Sequence, residues 1–435
     1  MKLQAERYFE FATLNTNWRT EILAGCTTFV TMAYIIFVNS SILSETGMPL
    51  PAVVAATCLC AAFGSILMGT LARYPIALAP GMGLNAYFTY SVVKGLHVPW
   101  QTALGAVFLS GVAFLLLTAL GVRRTIVAAI PTELYSAVAA GIGLFIAFIG
   151  LRNAGIVVPN AATVVTLGNL RTPDTALALF GLLLISALMA WDVRAAILIG
   201  ILITTLAGAL FGLVHWQFQT YSLAQIGATA FQLDIRGALK YGLLEIVFVF
   251  LFVDLFDNIG TLVAVGKAAN LFNEANEIPR INRILFADAT ATIVGSLAGT
   301  STVTSYVESA AGVAVGGRSG VTAITTGILF LLALVIAPLV GAIPAAATAP
   351  ALIVVGSLMA QGSGISWKNP VIAIPSFLTM IVIPLTCSIA NGLAFGITTY
   401  TLLRVARGQY REVNWLVYVL TALFIFRFLY LSRAG

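Results

Sequence analysis

The sequence predicts an all-α polytopic membrane protein of about 14 transmembrane spans in two inverted seven-span repeats, and three observations predict it. Hydrophobic residues make up 60% of the chain and charged residues only 9%, with a mean hydropathy of +1.01. A soluble domain carries roughly 25% charged residues, so this chain cannot cover an aqueous surface, and lipid must be its main solvent. Runs such as 22–43, 102–120 and 321–339 approach the ~20 apolar residues that span hydrocarbon as a helix. The basic residues, finally, fall on alternating connections.

The spans read as 22–43, 51–71, 75–94, 100–120, 132–151, 175–191 and 194–214, then 240–265, 281–299, 302–317, 321–341, 344–361, 369–385 and 387–405. With this assignment one side receives 15 lysines and arginines, from Lys2, Arg7 and Arg19 to Arg123, Arg124, Lys267 and Arg411. The other side receives only Lys94, Arg152, Arg171, Arg236 and Lys240. That asymmetry places the N-terminus in the cytoplasm and explains the net charge of +6 without a nucleic-acid partner. Glu6, Glu10 and Glu21 precede a full-length apolar run, which excludes a cleavable signal. Segment 413–431 contains Arg427 within its apolar stretch and reads as an interfacial helix, since a charge at membrane depth is costly. Cys26, Cys58, Cys60 and Cys387 lie in apolar segments and read as packing residues, while His97 and His215 lie in loops. A metal site is not expected.

The two halves echo each other. Gly64-Ser-Ile-Leu-Met-Gly-Thr70 ends span 2 and Gly295-Ser-Leu-Ala-Gly-Thr300 ends span 9. A segment that cannot be a plain helix follows each. After Thr70, Pro75 and Pro80 remove backbone donors, and Gly81 and Gly83 loosen what remains. After Thr300 comes the short, partly β-branched Ser301-Thr-Val-Thr304. A second echo joins spans 6 and 7 at Trp191-Asp-Val-Arg-Ala-Ala and spans 13 and 14 at Thr386-Cys-Ser-Ile-Ala-Asn. An odd number of spans per half inverts the second half. Broken spans at matching positions, each carrying a short strand, point to a transporter's substrate site near the midplane, because irregular backbone at that depth survives only inside protein or beside a watery cavity.

Polar residues inside the apolar spans nominate the site. Asp254, Asp257 and Thr261 are spaced i, i+3, i+7 and share one face of span 8. A single mid-membrane Asp costs about 2.5–3.5 kcal/mol on insertion scales, so Asp254 and Asp257 bind substrate or carry a proton, unless one anchors a broken span. Glu308 opens the helical part of span 10, next to Ser305, and either accepts hydrogen bonds from a planar base or caps its helix. Asn85 occupies the matching place in span 3, with the same two readings. Phe252 and Phe256 are candidates for stacking on a ring, against a plainer role in packing. Asp288 and Asn39, with hydroxyl neighbours, read as helix–helix anchors. Glu133, Asp192 and Glu245 lie near span ends and read as interfacial.

Four stretches, Met32-Ala-Tyr-Ile-Ile-Phe-Val-Asn39, Ala79-Pro-Gly-Met-Gly-Leu-Asn-Ala-Tyr-Phe88, Phe252-Val-Asp-Leu-Phe-Asp-Asn-Ile-Gly-Thr261 and Gly299-Thr-Ser-Thr-Val-Thr-Ser-Tyr-Val-Glu-Ser-Ala-Ala-Gly312, resemble the AzgA-like purine permeases of the nucleobase:cation symporters. The resemblance runs from about residue 8 to residue 410. It implies a core domain from spans 1–4 and 8–11 (residues 1–120 and 234–342) and a gate domain from spans 5–7 and 12–14 (121–233 and 343–435). It implies proton symport of adenine, guanine or hypoxanthine into the cell by elevator-like or rocking alternating access. Asn85, Asp254, Asp257 and Glu308 match the family's functional polar positions. Ser305 and Phe252 complete the expected substrate set, with Asp257 and Asp254 coupling the proton. No cofactor beyond the coupling proton is expected; the partners are the base and membrane lipid, with a homodimer through the gate domain. Uracil, xanthine or a small anion on the same fold is the nearest rival; a channel suits the two broken helices less well. An enzyme is disfavoured, because no nucleophile stands beside a base.

Overall fold

The structure is a computed structural model that describes residues 2–120, 132–213, 225, 227–240, 244–269, 271, 278–336, 340–361, 365–426 and 428. Arg123, Arg124, His215 and Arg427 lie outside the described residues, as do the side chains of Glu133, Phe256 and Lys267. Described helices lie at each of the fourteen expected spans. Five are long and apolar enough to cross a bilayer on length and composition alone: Trp18–Ser44, Leu50–Ala72, Trp100–Ala119, Leu134–Asn153 and Pro173–Ala190. Shorter apolar helices include Ala196–Leu210, Gly320–Ala333, Ala345–Gln361, Pro370–Thr386 and Trp415–Phe426. The last has 12 residues within the segment read as interfacial.

The chain divides into two compact units, one of Met1–Ala119 with Arg152–Ala351 and one of Leu120–Leu151 with Leu352–Gly435. In the second unit, Gly392 in Ile389–Ala406 leaves room for Ile383 of Pro370–Thr386, so two helices joined by a tight turn at Cys387 pack closely. Thr401 and Thr421 share a 2.8 Å hydroxyl contact that ties the terminal helix back onto span 14.

The first unit holds both broken spans. Strand β1 (Leu78–Pro80) interrupts span 3; strands β2 (Val157–Asn160) and β3 (Val164–Leu167) form a hairpin after span 5; strand β4 (Val303–Ser305) interrupts span 10. β1 and β4 pair antiparallel, with Leu78 opposite Ser305 and Pro80 opposite Val303. Two further backbone bonds extend the ladder, Tyr306 N–H to Ala77 at 3.0 Å and Gly81 N–H to Thr302 at 2.9 Å. The two halves of the chain therefore meet backbone to backbone, which satisfies polar groups that lipid could not. The β2–β3 hairpin, unforeseen in the sequence, turns where Asn160 Oδ1 accepts from the N–H groups of Ala162 and Thr163 at 2.8 and 3.1 Å.

The Gly-Ser echo has a packing cause. A Cβ on Gly64 would lie 3.0 Å from Leu78 Cβ, and one on Gly295 would lie 2.7 Å from Val303 Cγ2, so each glycine lets its helix press on its own strand. Ser65 then brackets Leu78 with two hydrogen bonds, and Thr292 brackets Val303 likewise. Ser296, the echo of Ser65, bonds its own helix instead, at Ile293.

Two features depart from expectation. Span 1 is not continuous: helix Trp18–Met32 ends, Ala33 and Tyr34 form a turn, and Ile35–Ser44 resumes. Glu21, just ahead of the first predicted span, is fully buried. Its carboxylate accepts from the N–H groups of Arg318 and Ser319 at 3.0 and 3.2 Å and from the Thr322 and Thr16 hydroxyls at 2.6 and 2.7 Å, closing the N-terminus of Gly320–Ala333.

Candidate functional site

The strand pair fixes the positions of the nominated side chains. Helix Met82–Ala86 leaves β1 directly and carries Asn85; Ser309–Ala314 follows β4 after Glu308; and span 8, Leu244–Ala268, carries Asp254 and Asp257. Spans 3 and 8 meet through aromatic rings, with Tyr87 5.2 Å from Phe250 between centroids. The six residues of Ser309–Ala314 are too few for a helix dipole to carry the site, so side chains must do so.

The six candidates separate into two groups. Asn85, Asp254, Ser305 and Phe252 are all buried, at 0, 1, 2 and 4% exposure, whereas Asp257 and Glu308 are only half-buried. Val307, beside Glu308, is 51% exposed in an otherwise apolar span, and Gly260, one turn from Asp257, is also exposed. The unit is thus open on the side where Asp257 and Glu308 stand. A Cβ on Gly81 would lie 3.9 Å from Asp257 Oδ2, so β1 ends against that carboxylate.

The buried group is engaged with the scaffold. Ser301 donates its hydroxyl to Asn85 Oδ1, leaving the Asn85 Nδ2 donor buried without a partner. Ser305 gives both its N–H and its hydroxyl to Asp288 Oδ1, at 3.1 and 3.3 Å. Thr292 Oγ1 lies 3.4 Å from Asp254 Oδ2, but its single proton goes to the Val303 carbonyl at 2.9 Å, the closer acceptor. Phe252 stacks on Phe248, with centroids 5.1 Å apart. Asn39 donates to Thr57 at 2.7 Å and to Thr300 at 3.2 Å, tying span 1 to span 2 and to the end of span 9. Asn39 thus makes the helix–helix bond expected of it, whereas the bonds of Asp288 to Ser305 hold strand β4 rather than a neighbouring helix.

Glu308 stands at the N-cap position of its helix, yet its side chain makes no capping bond. It accepts instead from the Tyr34 hydroxyl at 2.6 Å. Tyr34 is missing from the sequence-derived site because nothing in span 1 forecasts the turn that aims it. A tyrosine amid apolar residues, Ala33-Tyr34-Ile35, is the only local signal.

Comparison with known proteins places the chain. Residues 19–395 match the permease family Xan_ur_permease. The chain belongs to this permease family. The putative permease MJ0326 of Methanocaldococcus jannaschii is 53% identical over 429 residues, covering 98% of each chain. The guanine/hypoxanthine permease PbuG of Bacillus subtilis is 46% identical, covering 98% of this chain and 99% of its own. The adenine permease AdeP of Escherichia coli is 41% identical, covering 98 and 96%. Among solved structures, the transmembrane domain of the cyanobacterial bicarbonate transporter BicA superposes with a TM-score of 0.67 at 16% identity, over 88% of this chain and 97% of that one. At that identity the likeness is one of fold. This permease is a transporter rather than an enzyme.

Proposed function

We propose that this permease imports purine bases, adenine, guanine or hypoxanthine, across the cell membrane by proton symport. The observation that carries the reading is the pair of half-buried carboxylates, Asp257 and Glu308, on the open side of the paired strands. A purine presents ring and exocyclic N–H groups, and a carboxylate accepts them without a competing donor of its own. The names of the relatives PbuG and AdeP favour the same class. Two half-buried acidic groups in the membrane also disfavour an anionic substrate, despite the fold shared with a bicarbonate transporter.

Glu308 receives the base, with Asn85 Nδ2 as a donor behind it. Asp257 and Asp254 carry the coupling proton: Thr292 Oγ1 keeps a lone pair that a protonated Asp254 can donate to. Protonation removes a charge that is costly at membrane depth. The loaded core, spans 1–4 and 8–11, then moves against the gate by a rocking or elevator-like step. The N-terminus faces the cytoplasm, as the basic connections require, and the gate domain offers a surface for a homodimer.

The test is uptake of radiolabelled adenine, guanine, hypoxanthine and uracil, each with and without a protonophore, in cells lacking their own base permeases. The expected result is purine accumulation that collapses with the protonophore. Accumulation indifferent to the protonophore and to an imposed pH gradient would overturn the coupling, and uptake of uracil alone would overturn the substrate class.

A further inference from the structure

Tyr34 lies 274 positions from Glu308 in sequence, and its phenol is 1% exposed. A buried hydroxyl must find a partner, and Tyr34 reaches past the backbone of its own span to a carboxylate in the other half of the chain. The 2.6 Å separation is that of a direct hydroxyl-to-carboxyl hydrogen bond. Two local features allow it. The turn at Ala33–Tyr34 breaks span 1, with Ile36 N–H returning to Ala33 at 3.2 Å and Phe37 N–H to Tyr34 at 3.1 Å. The Glu308 side chain, which makes no capping bond within its own helix, receives the phenol.

A carboxylate has two oxygens and about four acceptor sites. Tyr34 takes Oε1, while Glu308 as a whole stays half-buried beside the exposed Val307. A glutamate otherwise loses much rotamer freedom when it binds a ligand. A carboxylate already fixed by a buried phenol has met that cost in advance, and preorganisation of this kind raises affinity without adding a contact to the ligand.

We propose that Tyr34 is a positioning residue for the base: it clamps Glu308 Oε1 so that Oε2 is presented to an N–H of the purine. The inference rests on the reading of this site as a purine site. Tyr34 touches Glu308 rather than the substrate, so its effect passes through that carboxylate alone.

The experiment is a double-mutant cycle of Tyr34→Phe and Glu308→Gln, read as KM and maximal uptake rate for the base the wild type accumulates, at matched amounts of protein in the membrane. Tyr34→Phe is expected to raise KM about tenfold with the maximal rate within about twofold. Adding Tyr34→Phe to Glu308→Gln is expected to change KM little further, because the clamp has nothing left to hold. N-methylated purines complete the test: the penalty for blocking the bound N–H should be smaller in Tyr34→Phe than in the wild type. An unchanged KM in Tyr34→Phe, or KM effects that multiply in the double variant, overturns the clamp while leaving the purine reading intact. A wild type that accumulates no purine overturns the purine reading and, with it, the ligand assigned to Oε2.

Discussion

Ser65 holds both backbone groups of Leu78: its Oγ accepts the Leu78 N–H at 2.9 Å and donates to the Leu78 carbonyl at 3.1 Å. In the other half, Thr292 does the same to Val303, at 3.2 and 2.9 Å. Each bracket fixes one of the two strands that position the site. Removing either hydroxyl leaves two buried backbone groups with fewer partners, a loss of about 1–3 kcal/mol. Ser65→Ala and Thr292→Val are therefore expected to lower the thermal unfolding midpoint of the detergent-purified protein, with Thr292→Ser close to wild type. A Thr292→Val variant as stable as the wild type would remove the bracket from the account.

The two glycines of the repeated Gly-Ser motif should differ in tolerance. Gly295→Ala drives a methyl to 2.7 Å from Val303 Cγ2, whereas Gly64→Ala meets Leu78 Cβ at 3.0 Å and Ala291 Cβ at 3.1 Å. Overpacking of this kind costs about 1–3 kcal/mol. Gly295→Ala is expected at the upper end, with reduced uptake as β4 is pushed toward β1. Melting curves and uptake rates of the two variants, measured side by side, check the order.

Two N-terminal glutamates separate a buried role from a surface one. Glu21 is fully buried and satisfies two backbone N–H groups and two hydroxyls; Glu21→Ala is expected to cost about 3 kcal/mol or more, by leaving several donors unpaired. Glu10 pairs with Arg73 and Arg280, both at 3.2 Å, but its side chain is 37% exposed. Glu10→Gln should therefore cost no more than about 1 kcal/mol, less still at high salt. Unfolding midpoints at two ionic strengths distinguish them: only the Glu10 variant should converge on the wild type as salt rises.

The acidic residues of spans 8 to 10 should fail in different ways. Glu308→Gln weakens charge-assisted bonding to the ligand, worth about 1.5–3 kcal/mol, or roughly 10–150-fold in affinity, whereas Asp257→Asn removes a carrier of the coupling proton. The protein should still fold and reach the membrane. Asp288→Asn instead loosens Ser305, which gives it both its N–H and its hydroxyl, so the expected loss is in folded protein and melting temperature. Uptake normalised to the amount in the membrane separates the classes: it should fall for the first two and hold for the third.

Much of this architecture was legible in one dimension. A composition of 60% hydrophobic and 9% charged residues demands lipid as solvent, and Pro75, Pro80, Gly81 and Gly83 forbid a plain third span. Asp254, Asp257 and Glu308 stand out because isolated acids in apolar runs are costly enough to need a reason. These signals are local, so hydropathy and spacing carry them. The hairpin Val157–Leu167 was missed because two four-residue strands in a polar connection give almost no periodic signal.

What the sequence determined by itself was the solvent, the number of segments, the places where helices break and which acids need explaining. Only the tertiary structure decided which acid meets which partner. Glu21 and Glu10 look alike in the sequence, yet one closes a helix nearly 300 residues away and the other pairs at the surface. Ser305 and Asp288, given separate roles by the sequence, turn out to hold each other, and Glu308 faces Tyr34 rather than capping its own helix. These pairings depend on how two inverted halves register against one another through β1 and β4. Hydrogen bonds are short and directional, so partners hundreds of residues apart are chosen by that register and leave no trace in local sequence.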